Sequence, residues 1–402
     1  MSIQKILTRR IHRGGILALA GFAALSLAGC ASDKPLAFQC RGFEDFRIPV
    51  PATPAGDIAT AESDSSLVQA VASTFAQGAA NTGGGNEQFL VLSGGGQWGA
   101  FGSGFLSGWS KHGAGKMQRP QRFNLVTGVS TGALQATFAF LGSDFDAGLE
   151  DAYAITSERQ LLKRHGAAFF ISHGSMADIS PLETYVRQKL RPLLDRVAAP
   201  ENQGRKLLVG VVDGLDGRMY AIDLTRIAAE RSGREREDCY VGALLASAAV
   251  PVVFRQVTIN NRPYLDGGVR QSVFVADVQR ATGQALSLGH RAGDVFVLMN
   301  GDMGTKPVAA LPAKLFPTLN RLRTLVFNQI ELTSIFGVAQ SYPGMTTHVA
   351  TAAGHPCDAV ADEESEIFSP QTMRCLSKYG ASLWSEGKPT WLVYESPAAK
   401  VK

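Results

Sequence analysis

An excess of positive or negative charge is what this chain lacks most clearly. It has 39 Lys and Arg against 35 Asp and Glu, and four of the cations lie within residues 1–29. Without those first residues, 35 cations face 35 anions, and the chain is formally neutral. Binding to nucleic acid depends on a basic patch or stripe. The sequence therefore favours no nucleic-acid partner.

Hydrophobic runs long enough to cross a bilayer are lacking too. The N-terminal run from Ile16 to Ala28 is shorter than the about 20 residues that a membrane-spanning helix needs. Cations precede this run and Leu27-Ala28-Gly29-Cys30 ends it, a pattern that resembles the leader of a bacterial lipoprotein. We expect residues 1–29 to be a signal peptide and Cys30 to be lipidated. The alternative is an ordinary secretory signal with a chance cysteine.

Lipid on Cys30 would make a membrane the partner of the mature chain. Each buried CH₂ of an acyl chain contributes about 0.8 kcal/mol, and two or more chains give stable anchoring. Ala31 and Ser32 follow the cysteine, without the aspartate associated with retention at an inner membrane. We therefore expect a lipid-anchored protein of the cell envelope, located at the outer membrane.

Cysteine is scarce, with five in the whole chain. An even number remains after Cys30, which in an exported chain permits two disulfides in three connectivities. We favour Cys357 with Cys375, because they close a short loop, and this leaves Cys40 with Cys239. Free or buried thiols are the alternative.

Repeats, low-complexity tracts and metal-ligand clusters are absent from the sequence after residue 87. The acidic stretch at 358–366 is typical of a solvated loop, so we expect neither a metal nor a cofactor. Residues 30–87 are rich in small and polar side chains and predict a tether. We expect a catalytic core at 88–303 and a helical extension packed on it at 304–402, where apolar residues recur at helical spacing (Leu315, Leu319, Leu322, Val326, Ile330).

Alternating apolar runs and helical patterns predict the fold class of the core. The runs lie at 88–92, 123–126, 207–212, 219–223 and 294–299, with helical patterns between most of them. This order is typical of a layered α/β fold, with a central, largely parallel sheet flanked by helices.

A serine between glycines follows the second of these runs. In Gly128-Val129-Ser130-Thr131-Gly132, the chain must turn sharply from a strand into a helix for the hydroxyl of Ser130 to be exposed. Gly128 and Gly132 are the residues that allow such a turn. The pattern predicts Ser130 as a nucleophile.

Two further glycine motifs lie on either side of the serine. Ser93-Gly94-Gly95-Gly96 follows the first strand, and free backbone N–H groups at the start of a helix there suit a developing oxyanion. Leu265-Asp266-Gly267-Gly268 comes later and offers Asp266 as a base. The sequence thus predicts acyl transfer, with Gly94, Gly95 and Gly96 as the oxyanion loop.

The three motifs resemble those of the patatin-like phospholipases in order and spacing. The segments 175–182 and 246–254 are also similar to linking segments of that family, and the resemblance covers about residues 88 to 300. It implies a serine–aspartate dyad without histidine, in which Ser130 attacks acyl esters of lipids and Asp266 is the base. Phospholipids, lysophospholipids and acylglycerols all present such an ester.

One residue departs from the family pattern, and two other functions stay open. Trp98 stands where the family usually has Arg or Lys, so a fixed cation beside the glycine loop is missing. One alternative is an esterase of the α/β-hydrolase type, with a Ser-Asp-His triad that uses His290, His348 or His355. The other is a non-catalytic lipoprotein that binds through a patatin-like domain.

Overall fold

The computed structural model describes residues 35–50, 88–274, 293–305, 307–308, 310–311, 313–340, 346–360, 367–387 and 391–395. From Leu36 onward these residues belong to one compact unit. Cys30, His290 and the predicted signal peptide lie outside the described residues.

The strands alternate with helices along most of the chain. The strands are β1 (Ala37–Phe38), β2 (Arg47–Val50), β3 (Gln88–Leu92), β4 (Leu125–Gly128), β5 (Lys163–Arg164), β6 (Ser175–Asp178), β7 (Lys206–Asp213), β8 (Met219–Asp223), β9 (Val252–Phe254), β10 (Val257–Ile259), β11 (Arg262–Asp266), β12 (Asp294–Leu298), β13 (Thr346–Ala350) and β14 (Leu392–Glu395). The α-helices are α1 (Gly99–His112), α2 (Thr131–Leu141), α3 (Asp146–Tyr153), α4 (Ala167–His173), α5 (Ser180–Leu190), α6 (Leu194–Val197), α7 (Leu224–Glu230), α8 (Gly233–Ser247), α9 (Leu315–Gln340) and α10 (Pro370–Ser385).

A central sheet runs in the order β1-β10-β11-β7-β4-β3-β12-β13-β14, and β8 joins β7 to β2. Its middle, from β7 through β4, β3 and β12 to β13, is parallel throughout. The strands added at the two sides are mostly antiparallel. The carboxyl ends of the parallel strands therefore meet at one edge, where α/β proteins place their sites.

Both faces of this sheet are covered. Successive residues of a strand point to opposite faces: Leu90 and Leu92 belong to a cluster with helix residues such as Phe101 and Phe105, whereas Phe89 and Val91 pack with Val297 and Ile335. This explains the continuous apolar runs in the sequence. The predicted α/β class with a mostly parallel central sheet is confirmed, and the five predicted strands coincide with β3, β4, β7, β8 and β12 to within about two residues.

The prediction of a tether at 30–87 is wrong for the residues from Leu36 to Val50. β1 pairs with β10 and β2 pairs with β8, so this segment extends the main sheet. Phe43 and Phe46 are fully buried. The two strands are short and the apolar residues are spaced irregularly, so composition alone suggested a linker.

The C-terminal region differs in two ways from the predicted helical extension. In addition to the helices α9 and α10, the region contains two strands, β13 and β14, which extend the main sheet. The predicted apolar stripe of α9 also does not face the core, since Leu322 is 54% exposed and Val326 45%, while Ile335 is buried. Apolar side chains lie on more than one face of this helix, so their spacing in the sequence could not show which face packs against the core.

Two disulfides join distant parts of this unit. Cys40 is bonded to Cys239 of α8, across 199 residues of sequence. Cys357 is bonded to Cys375 of α10, across 18 residues.

Candidate active site

Ser130 stands at a strained turn between β4 and α2. Its backbone has φ 55° and ψ −123°, an unusual conformation for a residue with a side chain. The residue is 7% exposed. Strain of this kind costs on the order of 1–3 kcal/mol and persists only where the surrounding fold enforces it.

The two glycines that flank the turn are required by space. A Cβ added to Gly128 would lie 2.4 Å from the carbonyl oxygen of Gly132, and one added to Gly132 would lie 2.3 Å from that of Leu92. Both clashes are with backbone, which side-chain movement does not relieve. The sharp turn predicted from the sequence is therefore present, and its tightness explains both glycines.

The strand pairing of β7 places Asp266 opposite the turn. β8 occupies one side of β7 at residues 208–212, and on the other side β4 ends with Gly128 beside Val209. β11 follows on that same side, with Asp266 beside Val211. Two residues along a strand correspond to about 7 Å, so Asp266 lies just beyond the end of β4, where the chain turns at Ser130.

The carboxyl group of Asp266 is buried, and no cation of the described residues contributes to its pKa. The residue is 1% exposed, and its Oδ1 accepts a hydrogen bond from Gly268 N at 2.7 Å. Burial raises its pKa from 3.8 to about 7, although the Ser130 hydroxyl and the Gly268 amide lower it. Oδ2 has no hydrogen-bond partner of ordinary geometry among the described residues. A basic oxygen is thus free beside the Ser130 side chain.

Ser247 at the end of α8 joins the serine turn to β7. Its Oγ accepts a hydrogen bond from Ser130 N at 3.0 Å and donates one to Gly210 O at 2.7 Å. Just beyond it, Ala249 O accepts from Asp266 N at 3.1 Å. The segment 246–254 therefore holds both predicted catalytic residues in place.

The glycine loop lies against the same turn. β3 and β4 end side by side, with Leu92 opposite Gly128, and a Cβ on Gly94 would be 3.4 Å from that of Ser130. Gly95 has φ 148°, and a Cβ there would lie 1.8 Å from Asn300 O. The structure thus brings the three motifs together.

The amides of the loop are not equivalent. Gly94 N donates to Ser272 O at 3.4 Å, which removes it from the predicted set of oxyanion donors. Among the described residues, the amides of Gly95 and Gly96 donate no hydrogen bond. These two remain available for an oxyanion.

Two polar side chains that were not predicted from the sequence hold the glycine loop by hydrogen bonds. Asn300 Nδ2 donates to Ser93 O at 2.8 Å and to Gln135 Oε1 at 2.9 Å, and Gln135 Nε2 donates to Gly99 O at 2.6 Å. Asn300 and Gln135 are fully buried. No local motif marks them, because they act on residues distant in sequence.

The described histidines make their contacts elsewhere. His348 Nε2 is 2.9 Å from Asp294 Oδ1, near the amino ends of β12 and β13 and so toward the opposite edge of the sheet. His355 packs edge-on against the Trp98 ring at 4.8 Å and accepts from Cys357 N at 3.0 Å. No histidine contributes to the pKa of Asp266 among the described residues.

An apolar cavity opens beside the site. It has about 590 Å³ of empty volume, open mouth included. Gly96 of the glycine loop and Thr131, next to Ser130, line it. Apolar side chains from several helices form its walls, among them Leu134, Phe138, Leu182 and Met373.

The described ranges hold neither a metal-ligand cluster nor a membrane span. They contain no group of three or more His, Cys, Asp or Glu residues that could hold a metal ion. Their helices include none with the length and hydropathy of a membrane span.

The fold and the site define a class first: a mixed α/β protein with a serine on a strained strand–helix turn and a buried carboxyl beside it. Residues 90–278 match the family model "Patatin-like phospholipase". The chain thus carries a patatin-like phospholipase domain, and the resemblance inferred from its motifs is confirmed. This match supports a lipid hydrolase in general.

Among solved structures, the chain has a distant likeness to a patatin-like protein. VipD from Legionella pneumophila is 11% identical, with a TM-score of 0.37, and the alignment covers 77% of this chain and 68% of VipD. No curated protein matches the chain.

Proposed function

We propose that this protein is a serine acyl hydrolase that cleaves carboxylic ester bonds of lipids with Ser130 and Asp266. The observation that carries the proposal is the buried carboxyl of Asp266, which has no cation partner in the described part of the chain and lies beside a serine held on a strained turn. An ordinary carboxylate is a weak base near neutral pH. A pKa of about 7 matches the pH at which a general base is most effective.

The reaction follows from this arrangement in two halves. Asp266 accepts the Ser130 proton while Oγ bonds to the ester carbonyl carbon, and the protonated Asp266 then gives that proton to the departing alkoxide. Water then attacks the acyl-serine while Asp266 accepts one of its protons, and Asp266 gives that proton to the Ser130 Oγ as the carboxylic acid departs. The Gly95 and Gly96 amides stabilise both tetrahedral intermediates, and loss of one such donor costs typically 10²–10³ in rate.

The apolar cavity supports a lipid as the substrate. It is lined by residues beside both the nucleophile and the oxyanion donors, so an acyl chain in it would bring its carbonyl carbon to Ser130. Trp98, in place of a cation, leaves the loop without a fixed charge for a phosphate group. We therefore propose modest selectivity between neutral and anionic head groups.

Labelling with a fluorophosphonate ester tests the nucleophile. We expect the adduct on Ser130 by peptide mass mapping, and neither labelling nor ester turnover in Ser130→Ala. An adduct on another serine, or turnover retained in Ser130→Ala, would refute the proposal. A wild type that binds lipid without turnover would identify a binding module instead.

The base is tested separately. Asp266→Asn should lose nearly all turnover while it stays folded, whereas His290→Ala, His348→Ala and His355→Ala should keep kcat within a few-fold. A loss of about 10⁴ at one histidine would indicate a triad.

We also propose that the mature chain is lipidated at Cys30 and located at the outer membrane of a cell envelope. The leader pattern in the sequence supports this. Metabolic palmitate label should enter the wild type and not Cys30→Ser. Unlabelled wild type in the soluble envelope fraction would contradict it.

A further inference from the structure

A second, half-buried carboxyl touches the active site from outside the patatin-like domain. Glu331 lies in the middle of α9, beyond the family match at 90–278. Its Oε1 is 2.9 Å from the Oγ of Ser93, the first residue of the glycine loop. The same helix reaches the other half of the site, since Phe327 packs near Gly268 and Ser334 Oγ accepts a hydrogen bond from Ser272 N at 3.3 Å.

A count of hydrogens at Ser93 Oγ assigns the state of Glu331. This hydroxyl has three polar neighbours: Gly94 O at 2.7 Å, Asn300 N at 2.9 Å and Glu331 Oε1. One hydroxyl hydrogen cannot serve both Gly94 O and an ionised Glu331. All three contacts are hydrogen bonds only when Asn300 N donates to Oγ, Oγ donates to Gly94 O and Glu331 donates a hydrogen of its own. A hydrogen then lies between Ser93 and Glu331 only if the glutamate supplies it.

We propose that Glu331 is a positioning residue which, as a neutral acid, donates a hydrogen bond to Ser93 and so fixes the glycine loop for oxyanion binding. This inference rests on the proposed function of Ser130 and Asp266. The chain of hydrogen bonds runs from Glu331 to Ser93 Oγ and on to Gly94 O. It sets the peptide plane that carries the Gly95 amide, one of the two oxyanion donors.

The surroundings of Glu331 favour the neutral form. Burial raises its pKa to about 8, although the hydrogen bond with Ser93 lowers it. The groups that face its carboxyl are the Ser93 hydroxyl and the backbone at Gly301, where a Cβ would lie 3.6 Å from Oε2. Among the described residues, no charged side chain contributes to its pKa. When Glu331 ionises, it can no longer donate to Ser93 Oγ. The Ser93 hydroxyl then donates to the carboxylate instead of to Gly94 O.

The pH dependence of p-nitrophenyl butyrate hydrolysis tests the proposal. The wild-type rate should rise as Asp266 ionises and fall as Glu331 ionises. Glu331→Gln, whose amide donates at every pH, should lose the falling limb and exceed the wild type several-fold at pH 9. Glu331→Ala should lower kcat by about tenfold at pH 7, with KM within about twofold. Gln329→Ala, an exposed change on the same helix, is the matched control and should follow the wild type.

Two results would overturn the proposal: equal losses in Glu331→Gln and Glu331→Ala, or a falling limb that persists in Glu331→Gln. A readout without turnover separates it from the proposed function. The difference infrared spectrum of wild type minus Glu331→Gln should show the carbonyl band of a protonated carboxyl at pH 6, and this band should vanish by pH 10. If that band is missing, Glu331 is not a neutral donor. If the band is present but Ser130-dependent turnover is missing, it is the proposed function that fails.

Discussion

At the scale of single residues, Asp213 and Asp266 have equally buried carboxyl groups but different hydrogen-bond partners. The Asp213 side chain is fully buried, as is that of Asp266, but it accepts hydrogen bonds from Arg262 and from Arg47 at 2.8 Å. Burial raises the pKa of Asp213, but these and backbone hydrogen bonds hold it below its usual range. Asp266 has a serine hydroxyl and one amide instead, so burial dominates. The same type of side chain is thereby a paired ion at Asp213 and, on the proposed mechanism, a base at Asp266.

The raised pKa of Asp266 predicts a pH-dependent cost in stability. Because the folded pKa of about 7 lies above the ordinary 3.8, the favourable contribution is complete below pH 4 and is lost as pH rises through 7. The ionised group costs the fold on the order of 4 kcal/mol at pH 8. Urea unfolding of wild type and Asp266→Asn should give a difference in unfolding free energy that grows between pH 4 and 7 in favour of the variant. A difference independent of pH would contradict the assigned pKa.

At the scale of elements, glycines let α1 and α10 approach at backbone distance. A Cβ on Gly104 would lie 1.9 Å from Ser377 O, and one on Gly380 would lie 2.4 Å from Phe101 O. Gly108 meets Ala381 in the same way, at 2.9 Å. α1 starts directly after the glycine loop, so a helix from the C-terminal region supports the element that carries the oxyanion donors.

Gly104→Ala should therefore destabilise the fold. The new methyl group meets a carbonyl that cannot move alone, and overpacking of this kind costs typically about 1–3 kcal/mol, occasionally more. We expect a loss of about 3 kcal/mol in unfolding free energy by urea titration. Gly166→Ala is the matched control, because a Cβ there meets nothing within 4 Å. Equal stability of the two variants would show that α1 and α10 separate at little cost.

The sequence predicted the elements that carry the site better than those that support it. The turn at Ser130 and the strand that delivers Asp266 are marked by glycines that local geometry requires. Glu331 and Asn300 act on Ser93 from more than 200 residues away, and their own surroundings in the sequence are ordinary. Their roles depend on which strands become neighbours, and no periodicity encodes that. For the same reason, the sequence could not predict that α9 packs against the site through Phe327, Glu331 and Ser334.

At the scale of the whole molecule, two covalent links join the ends of the chain to the fold. Cys40 fixes the N-terminal strands to α8, and Cys375 fixes α10 to the loop after β13. A disulfide stabilises mainly by limiting the unfolded chain, so the longer loop should contribute more. The two links hold the segments on either side of the patatin-like domain.

Removing each disulfide should show that order. Cys40→Ala/Cys239→Ala removes the link that closes a loop of 199 residues, so the unfolding free energy should fall by about 5 kcal/mol. Cys357→Ala/Cys375→Ala should lose about 3 kcal/mol. Urea unfolding of both variants, with the reduced wild type for comparison, measures the difference. A larger loss in the second variant would contradict the loop argument.

The position of β3 in the sheet also sets when activity can arise during synthesis. β4 and β7 pair early in the chain, whereas β3 keeps an open side until residues 294–298 supply β12. The glycine loop gains Asn300 and Glu331 later still. Contacts so distant in sequence form slowly. On the proposed mechanism, a partly synthesised chain therefore holds Ser130 without support for the oxyanion donors, and ester hydrolysis begins only when translation is almost complete.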